Sequence, residues 1–477
     1  MQTRSAGPTT GLQELRERFA AFGQAHVFRF WDALDEAARA RLARQAAGID
    51  LASFATVHAA TQALATPGAG RLEPARIERL PERGGDPRAA AAAQERGETL
   101  LAEGKVAVMV VAGGQGTRLG FEGPKGTFPV GPLSTRTLFA QQAQKLRGLR
   151  RRYGRDVPWY VMTSAATDAE TRALFHREGW FGLPEADVFF LQQQMVPALD
   201  FEGRLILERA DRVFESPNGH GGSLTALLAS GALDDMESRG ARSLFYYQVD
   251  NPLVRIADPV YLGFHAAAGA RMSCKVIAKL DPMEKMGIVA KIDGKVGVVE
   301  YTELDDANRH ARGPDGELVY GAGSIAIHVL ELDFVRRVAA DADRLLPYHA
   351  SAKKIPTVDA EGHPVAPSTP NGYKLERFVF DALAAADRVM ILETRREDDY
   401  SPIKNATGSD SPDTARRDLM AVYRRWLSAA GVEGFEATTA IEIDHSVFDG
   451  PEDLRASRIR RIADAGGAIR IAPGAAE

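Results

Sequence analysis

The residues best able to do chemistry are crowded between Ala112 and Gly131. Gly113, Gly114, Gly116 and Gly120 break up the run, and Arg118 and Lys125 lie inside it. Glycine lets backbone approach a ligand closely and takes positive φ without steric cost. Two cations in a loop, with amide N–H groups around them, suit a polyanion, so the chemistry is phosphate binding. The spacing excludes two other phosphate loops. Lys125 is preceded by Pro124 and followed by Gly126, so there is no Gly-Lys-Ser/Thr. Gly114, Gly116 and Gly120 leave one residue too many in the second interval for a dinucleotide fingerprint. A tight turn with two surface cations would also give glycines here. The length of the pattern, Gly-Gly-x-Gly-Thr-Arg-Leu-Gly and then Pro-Lys-Gly, argues against it.

Such a loop needs a rigid strand before it and a helix behind it. Residues 106–111 are apolar on both parities, which predicts a strand buried on both faces, as in a parallel sheet. Ser134 and Thr135 are candidate N-caps for a helix through Leu138, Phe139, Ala143, Leu146 and Leu149. Further strands are expected at 159–163, 188–191, 243–249 and 275–279, with a helix at 169–178. This alternation predicts an α/β, doubly wound, mostly parallel sheet. Ligands bind beyond the C-terminal strand ends of such sheets. Four polar clusters fall at those positions: the glycine loop, Gln193, Pro217 to Gly222 around His220, and Asp250. Their convergence predicts one site. An Asp after a buried strand is often a turn former. Beside a phosphate loop, Asp250 is better read as a ligand for Mg²⁺, which is held by one or two carboxylates plus substrate phosphates.

The chain has 477 residues, 45% hydrophobic and 26% charged, as in an ordinary globular protein of about two to three domains. A net charge of -5 argues against bulk nucleic-acid binding. Cys274 is the single cysteine, so no disulfide framework or thiolate metal site is expected, and a reducing cytoplasm fits. The opening residues are polar, no apolar leader core follows, and no run approaches a membrane span. Three divisions are expected. Residues 1–100 form a helical region, with turns at 67–70 and 84–87 and with His26 and Trp31 as packing residues. Residues 101–395 form the main domain. Residues 396–477 form a small α+β subdomain, with a helix through Leu419, Val422 and Trp426, strands at 440–443 and 468–471, and a charged helix near 452–464. Residues 283–300 read as a hairpin with a type I′ turn at Asp293-Gly294, and 370–381 as the start of a low-polarity helix.

The run AGGQGTRLGFEGPKG at 112–126 resembles the signature loop of the UTP-dependent nucleotide-sugar pyrophosphorylases, and most closely the branch that includes UDP-N-acetylhexosamine pyrophosphorylase. Val249-Asp250-Asn251, Glu300-Tyr301-Thr302-Glu303, Ala322-Gly323-Ser324, the segment from Pro370 to Asp381, and Ser401-Pro402-Ile403-Lys404-Asn405 match the family in order. The resemblance implies a Rossmann-like nucleotidyltransferase fold. It also implies the transfer of a uridylyl group from UTP to a sugar 1-phosphate, with release of pyrophosphate. Arg118, Lys125 and Lys404 would be the catalytic cations, and Asp250 the Mg²⁺ ligand. Ala112, Gly113, Gly114, Gly116, Thr117, Gln193 and Gly219 would bind the nucleotide. His220, Gly287, Glu300, Tyr301, Ser324, Phe378 and Phe380 would face the sugar, N-acetylglucosamine 1-phosphate in that branch.

Four positions depart from the branch. His220 stands where it has Asn, and Gly-His-Gly resembles the glucose and broad-specificity UDP-sugar pyrophosphorylases. Ser324 replaces a sugar-binding Asn, and Gly321 and Ile327 replace two neighbouring asparagines. Glucose 1-phosphate and galactose 1-phosphate therefore remain open as substrates. A non-catalytic UDP-sugar sensor is a further alternative, but it would have no need of the complete set Arg118, Lys125, Asp250 and Lys404. The glycine interval and Lys125 count against a nicotinamide dehydrogenase. UTP and a sugar 1-phosphate are the expected partners, with no nucleic acid and no membrane. The sequence does not determine the oligomeric state, and a monomer is compatible with it.

Overall fold

The computed structural model describes residues 10–54, 70–457, 459, 461–462 and 467–472. The polar opening residues 1–9, most of the expected turn at 67–70 and parts of the expected helix at 452–464 lie outside the described residues. The chain divides into two compact units. One comprises the described parts of Met1–Ala69 with Gln194–Gly222 and Asp341–Val379; the other comprises Gly70–Gln193, Ser223–Ala340 and the described parts of Phe380–Glu477.

The second unit holds the main sheet. Its strands are β1 (Glu78–Arg79), β2 (Val106–Val111), β3 (Trp159–Thr163), β4 (Val188–Gln192), β5 (Ser243–Gln248), β6 (Met272–Ala278), β7 (Ala322–Glu331) and β8 (Val389–Glu393). Their spatial order is β1-β8-β6-β7-β5-β2-β3-β4. Every neighbouring pair is parallel except those of β7, which runs antiparallel to β5 and β6. The expected α/β sheet is thus present, mixed but mostly parallel. Val108 of β2 lies between Phe245 of β5 and Trp159 of β3. That central place explains the apolar residues on both parities, and Val106 to Val110 are all buried. Because β7 is reversed, its first residues share a sheet edge with the C-terminal ends of β5 and β6.

Helices cover the faces. Pro87–Ala102 and Pro259–Ala268 cross at glycines: a Cβ on Gly97 would lie 1.9 Å from the Pro259 carbonyl oxygen, and one on Gly263 1.7 Å from that of Ala93. The helix behind the glycine loop is Leu138–Tyr153, and its cap differs from expectation. Thr137, not Ser134 or Thr135, accepts the Ala140 amide. Ser134 is engaged elsewhere: its Oγ donates to Glu442 at 2.8 Å, and the Leu133 and Ser134 amides donate to the same carboxylate. Glu442 belongs to the strand Ala440–Ile443, which pairs in parallel with Ala468–Ile471. The helix before them, Pro412–Ala429, opens with a capping box of Ser411 and Thr414.

The hairpin Ile288–Ile292/Lys295–Val299 has the expected turn, with positive φ at Asp293 and Gly294. Two short strands lie where only helices and turns were expected. Leu72–Pro74 pairs with Ile288–Ile292, and β1 pairs with β8. Segments of two or three residues carry no periodicity, and only their partners make them strands.

The first unit packs helices Thr10–Ala21 and Glu36–Gly48 on a sheet of Tyr348–Lys353, Gly372–Arg377 and Leu199–Asp200 around Phe19, Phe28, Leu42 and Leu375. Trp31 packs on this core, and His26 Nε2 lies 2.8 Å from the Leu205 carbonyl oxygen, so both are packing residues. The expected helix at 370–381 is here a strand, Gly372–Arg377, followed by a 3-10 turn, Val379–Ala385. Pairing along the whole of Tyr348–Lys353 overrides the local preference. Among the described residues no helix is long and apolar enough to cross a membrane.

Candidate active site

The glycine loop begins where β2 ends. Ala112 is buried, and its amide continues the sheet by donating to the Met162 carbonyl. Gly113 is held by Ser164, whose Oγ donates to its carbonyl at 2.8 Å. A Cβ on Gly113 would lie 3.0 Å from Gln193 Oε1, so the missing side chain leaves the Gln193 amide its place. The loop then folds on itself. The Gly116 amide donates to the Gly123 carbonyl, and the Lys125 amide to the Gly114 carbonyl. Gly126 is buried, and its Cβ would stand 2.1 Å from the Phe139 ring, so the loop lies flat on the following helix only with glycine there. Gly114, Thr117 and Arg118 face solvent. The Arg118 side chain makes no hydrogen bond or ion pair among the described residues, so its guanidinium is available to an anion.

Asp250 follows β5, the strand beside β2. Its Oδ2 accepts from Lys125 Nζ at 3.0 Å, and both side chains are mostly covered. The glycine loop and the β5 end therefore meet in one cation–carboxylate pair. The turn after Asp250 is anchored from the helix behind it. Gln142 Nε2 donates to the Val249 carbonyl, and Lys145 Nζ donates to the carbonyls of Pro252 and Val254, each at 2.7 Å. Burial pulls the Lys145 pKa down to about 8. The neutral amine still has two N–H donors for the two carbonyls, so the anchor does not depend on charge.

Lys404 reaches the same edge on another loop. The Ile403 amide donates to the Asp250 carbonyl at 2.9 Å, which binds the two segments directly. Lys404 Nζ donates to Tyr400 Oη at 3.0 Å. Desolvation pulls the ammonium's pKa down, but Tyr400, Asp250 and Asp410 together outweigh it and hold the pKa above its ordinary value. Lys404 therefore stays charged. Tyr400 was not foreseen; its place four residues before Lys404 was the available sign.

The sugar-side candidates of this unit form a second group. The Ser324 amide, near the start of β7, donates to the Gly287 carbonyl at 2.9 Å. A Cβ on Gly287 would lie 3.4 Å from Glu300 Oε1, so Gly287, Glu300 and Ser324 are adjacent. Tyr301 is exposed, and Phe380 is buried in the 3-10 turn.

Gly219, His220 and Phe378 belong to the first unit. Gly219 has φ +66, and its Cβ would stand 2.4 Å from the Arg377 carbonyl oxygen, so only glycine fits. His220 stacks on Phe378 at 5.2 Å, and His349, unforeseen in the sequence, stacks on Phe378 at 4.4 Å. The Val379 amide donates to His220 Nδ1 at 3.1 Å, which puts the ring proton of the neutral form on Nε2. Burial, with some repulsion from His349, pulls the His220 pKa down from 6.5 to about 4. The folded chain thus holds neutral His220 where the unfolded chain would already bind a proton. This contribution to stability is fully present above pH 6.5 and is lost as the pH falls toward 4. The expected result is that the denaturation midpoint of His220→Gln falls less steeply than that of the wild type between those pH values. Parallel curves in urea titrations would refute it.

No group of three or more His, Cys, Asp or Glu side chains suited to a metal occurs among the described residues. A caged metal is therefore not what these residues suit. A lone carboxylate beside a glycine-rich cationic loop does fit Mg²⁺, which takes one or two carboxylates and completes its shell with phosphate oxygens and water.

The family described as UTP–glucose-1-phosphate uridylyltransferase matches residues 56–455. The chain is 40% identical to human UDP-N-acetylhexosamine pyrophosphorylase-like protein 1 over 441 residues, covering 89% of this chain and 87% of that protein. It is 34% identical to UDP-N-acetylglucosamine diphosphorylase 2 of Arabidopsis thaliana over 446 residues, covering 88% and 85%. Among solved structures, the uridine diphosphate N-acetylglucosamine pyrophosphorylase of Trypanosoma brucei superposes with a TM-score of 0.85 at 28% identity, covering 99% of this chain and all of that one.

Proposed function

The chain belongs to the UTP–glucose-1-phosphate uridylyltransferase family, whose members are UDP-sugar pyrophosphorylases, and on that premise we propose that it joins UTP and N-acetylglucosamine 1-phosphate into UDP-N-acetylglucosamine and pyrophosphate. The observation that carries the reading is the meeting of Lys125, Asp250 and the Ile403-Lys404 segment at one edge of the sheet. The names of the relatives support the sugar.

The reaction is a single displacement. A phosphate oxygen of the sugar 1-phosphate forms a bond to the α-phosphorus of UTP while the bond from that phosphorus to the bridging oxygen breaks. Pyrophosphate carries away the electron pair. A phosphate monoester dianion is nucleophilic near neutral pH, so no protein nucleophile or general base is required. Catalysis is then positioning and charge stabilisation. Gly113, Gly114, Gln193 and Gly219 contact the uracil, and Ala112, Gly116 and Thr117 also bind the nucleotide. Arg118 and Lys125 neutralise the departing phosphates, and Lys404 grips the sugar phosphate. Asp250 is the protein ligand for Mg²⁺, which when bound neutralises phosphate charge. His220, Gly287, Glu300, Tyr301, Ser324, Phe378 and Phe380 face the sugar. Residues 101–395 carry most of this chemistry, 396–477 supply Lys404, and 1–100 supply little. The setting is cytoplasmic.

A second reading keeps the reaction and changes the sugar to glucose 1-phosphate or galactose 1-phosphate. His220 and Ser324 favour it, since both replace asparagines of the acetylhexosamine branch. Pyrophosphate release with UTP, Mg²⁺ and a panel of sugar 1-phosphates, beside ATP and dTTP controls, separates the two. Fast release with N-acetylglucosamine 1-phosphate is expected. Release with only glucose or galactose 1-phosphate would replace the first reading by the second. UTP binding without release from any sugar would leave a sensor.

A further inference from the structure

Asp250 and Lys404 lie on separate stretches of chain, and both stretches converge on one buried lysine. Lys275 lies in β6, where the pairing with β7 is broken by a bulge between Cys274 and Val276. Such a bulge re-aims a side chain. Lys275 is fully buried, and its Nζ donates to Asp258 Oδ2 at 2.7 Å and to Asp399 Oδ2 at 2.9 Å. It also sits 5.4 Å from the centre of the Tyr261 ring. The Arg255 guanidinium, 3.9 Å from Asp258 Oδ1, brings the four charges to neutrality.

Asp399 passes the contact on to both functional loops. Its Oδ2 also accepts from Thr394 Oγ1 at 2.6 Å, and its Oδ1 from the Arg255 amide at 3.3 Å. Its backbone carbonyl accepts from Asn251 Nδ2 at 2.6 Å. Asn251 Oδ1 in turn accepts from the Ser401 amide at 3.2 Å. Asn251 is the neighbour of Asp250, and Ser401 lies three residues before Lys404. An unbroken series of polar contacts therefore runs from Lys275 to the two segments. Sheet stability does not require it, because an apolar side chain in the same place is often at least as stabilising as a buried ion pair. A charge here does what an apolar side chain cannot: it holds two carboxylates, one from each segment, at a set separation.

We propose that Lys275, through Asp258 and Asp399, is a positioning residue that sets the separation between the Asp250 carboxylate and the Lys404 ammonium during uridylyl transfer. This rests on the roles assigned above to Asp250 and Lys404.

The test is a kinetic cycle on the full chain with UTP and the sugar 1-phosphate that supports turnover. Asp399→Asn keeps the shape and weakens the grip of Lys275; Lys275→Met removes it. Each is expected to lower kcat by about tenfold or more while the KM for UTP moves by less than about twofold. In a Lys404→Ala background each should cost less than about a further twofold, because the group they position is gone. Losses that multiply in that background would overturn the proposal, as would a lower melting temperature with wild-type kcat. If Lys275→Met does not fold, Asp399→Asn alone decides. Normal turnover of Lys404→Ala itself would instead remove Lys404 from the proposed mechanism, and the positioning role with it.

Discussion

Lys125→Ala is expected to lower kcat by about a hundredfold or more while leaving the fold intact. Lys125 lies at the meeting of the glycine loop and β5, with its Nζ 3.0 Å from Asp250 Oδ2. In the reaction proposed here, negative charge grows on the pyrophosphate as it leaves. A fixed ammonium in the loop that cradles those phosphates acts on the transition state more than on bound UTP. The loss should therefore appear in kcat, with a smaller change in the KM for UTP. Stability separates this from misfolding. Both side chains are mostly covered, so removing the ammonium leaves the Asp250 carboxylate unpaired at a cost of about 1–3 kcal/mol, and the melting temperature should fall by several degrees without collapse. Wild-type turnover in this variant would remove Lys125 from the mechanism. A collapse of the melting temperature would make it a structural residue.

Asp250→Asn is expected to lower kcat by about a thousandfold, a loss of several kcal/mol of charge stabilisation. The substitution preserves shape, and the main-chain bond from Ile403 to the Asp250 carbonyl does not involve the side chain. What changes is the charge. The Mg²⁺ concentration for half-maximal rate should rise in Asp250→Asn and stay near the wild-type value in Lys125→Ala. That contrast separates a metal ligand from a carboxylate that merely restrains Lys125. Measuring initial rates against Mg²⁺ for both variants decides it, and equal Mg²⁺ dependence in the two would assign Asp250 the restraining role.

Much of this arrangement could be read along the chain because its signals are local. Residues 106–111 are apolar on both parities and stop at a glycine run, and they form the central strand β2. Asp293-Gly294 is a type I′ turn because those two residues tolerate positive φ. Local preference misled where a partner made the decision. Residues 372–377 became a strand against Tyr348–Lys353, and the cap moved from Ser134 to Thr137 because Glu442, 308 positions away, takes up Ser134. By periodicity alone Lys275 is only part of a strand. A lysine in a run as apolar as Met272–Ala278 is the sign that it has a buried partner. Nothing along the chain could say that the partners would be Asp258 and Asp399.

The sequence by itself determined the alternating fold, the glycine-rich cationic loop and the family, because periodicity, glycine placement and motif order are properties of neighbours along the chain. Only the tertiary structure decided that Lys125 would pair with Asp250, that Ile403 would bind the Asp250 carbonyl, and that His220 and His349 would stack on Phe378. Those contacts join distant residues. Which of them form depends on how the sheet edge and its loops pack, where each buried donor left without an acceptor costs about 1–3 kcal/mol.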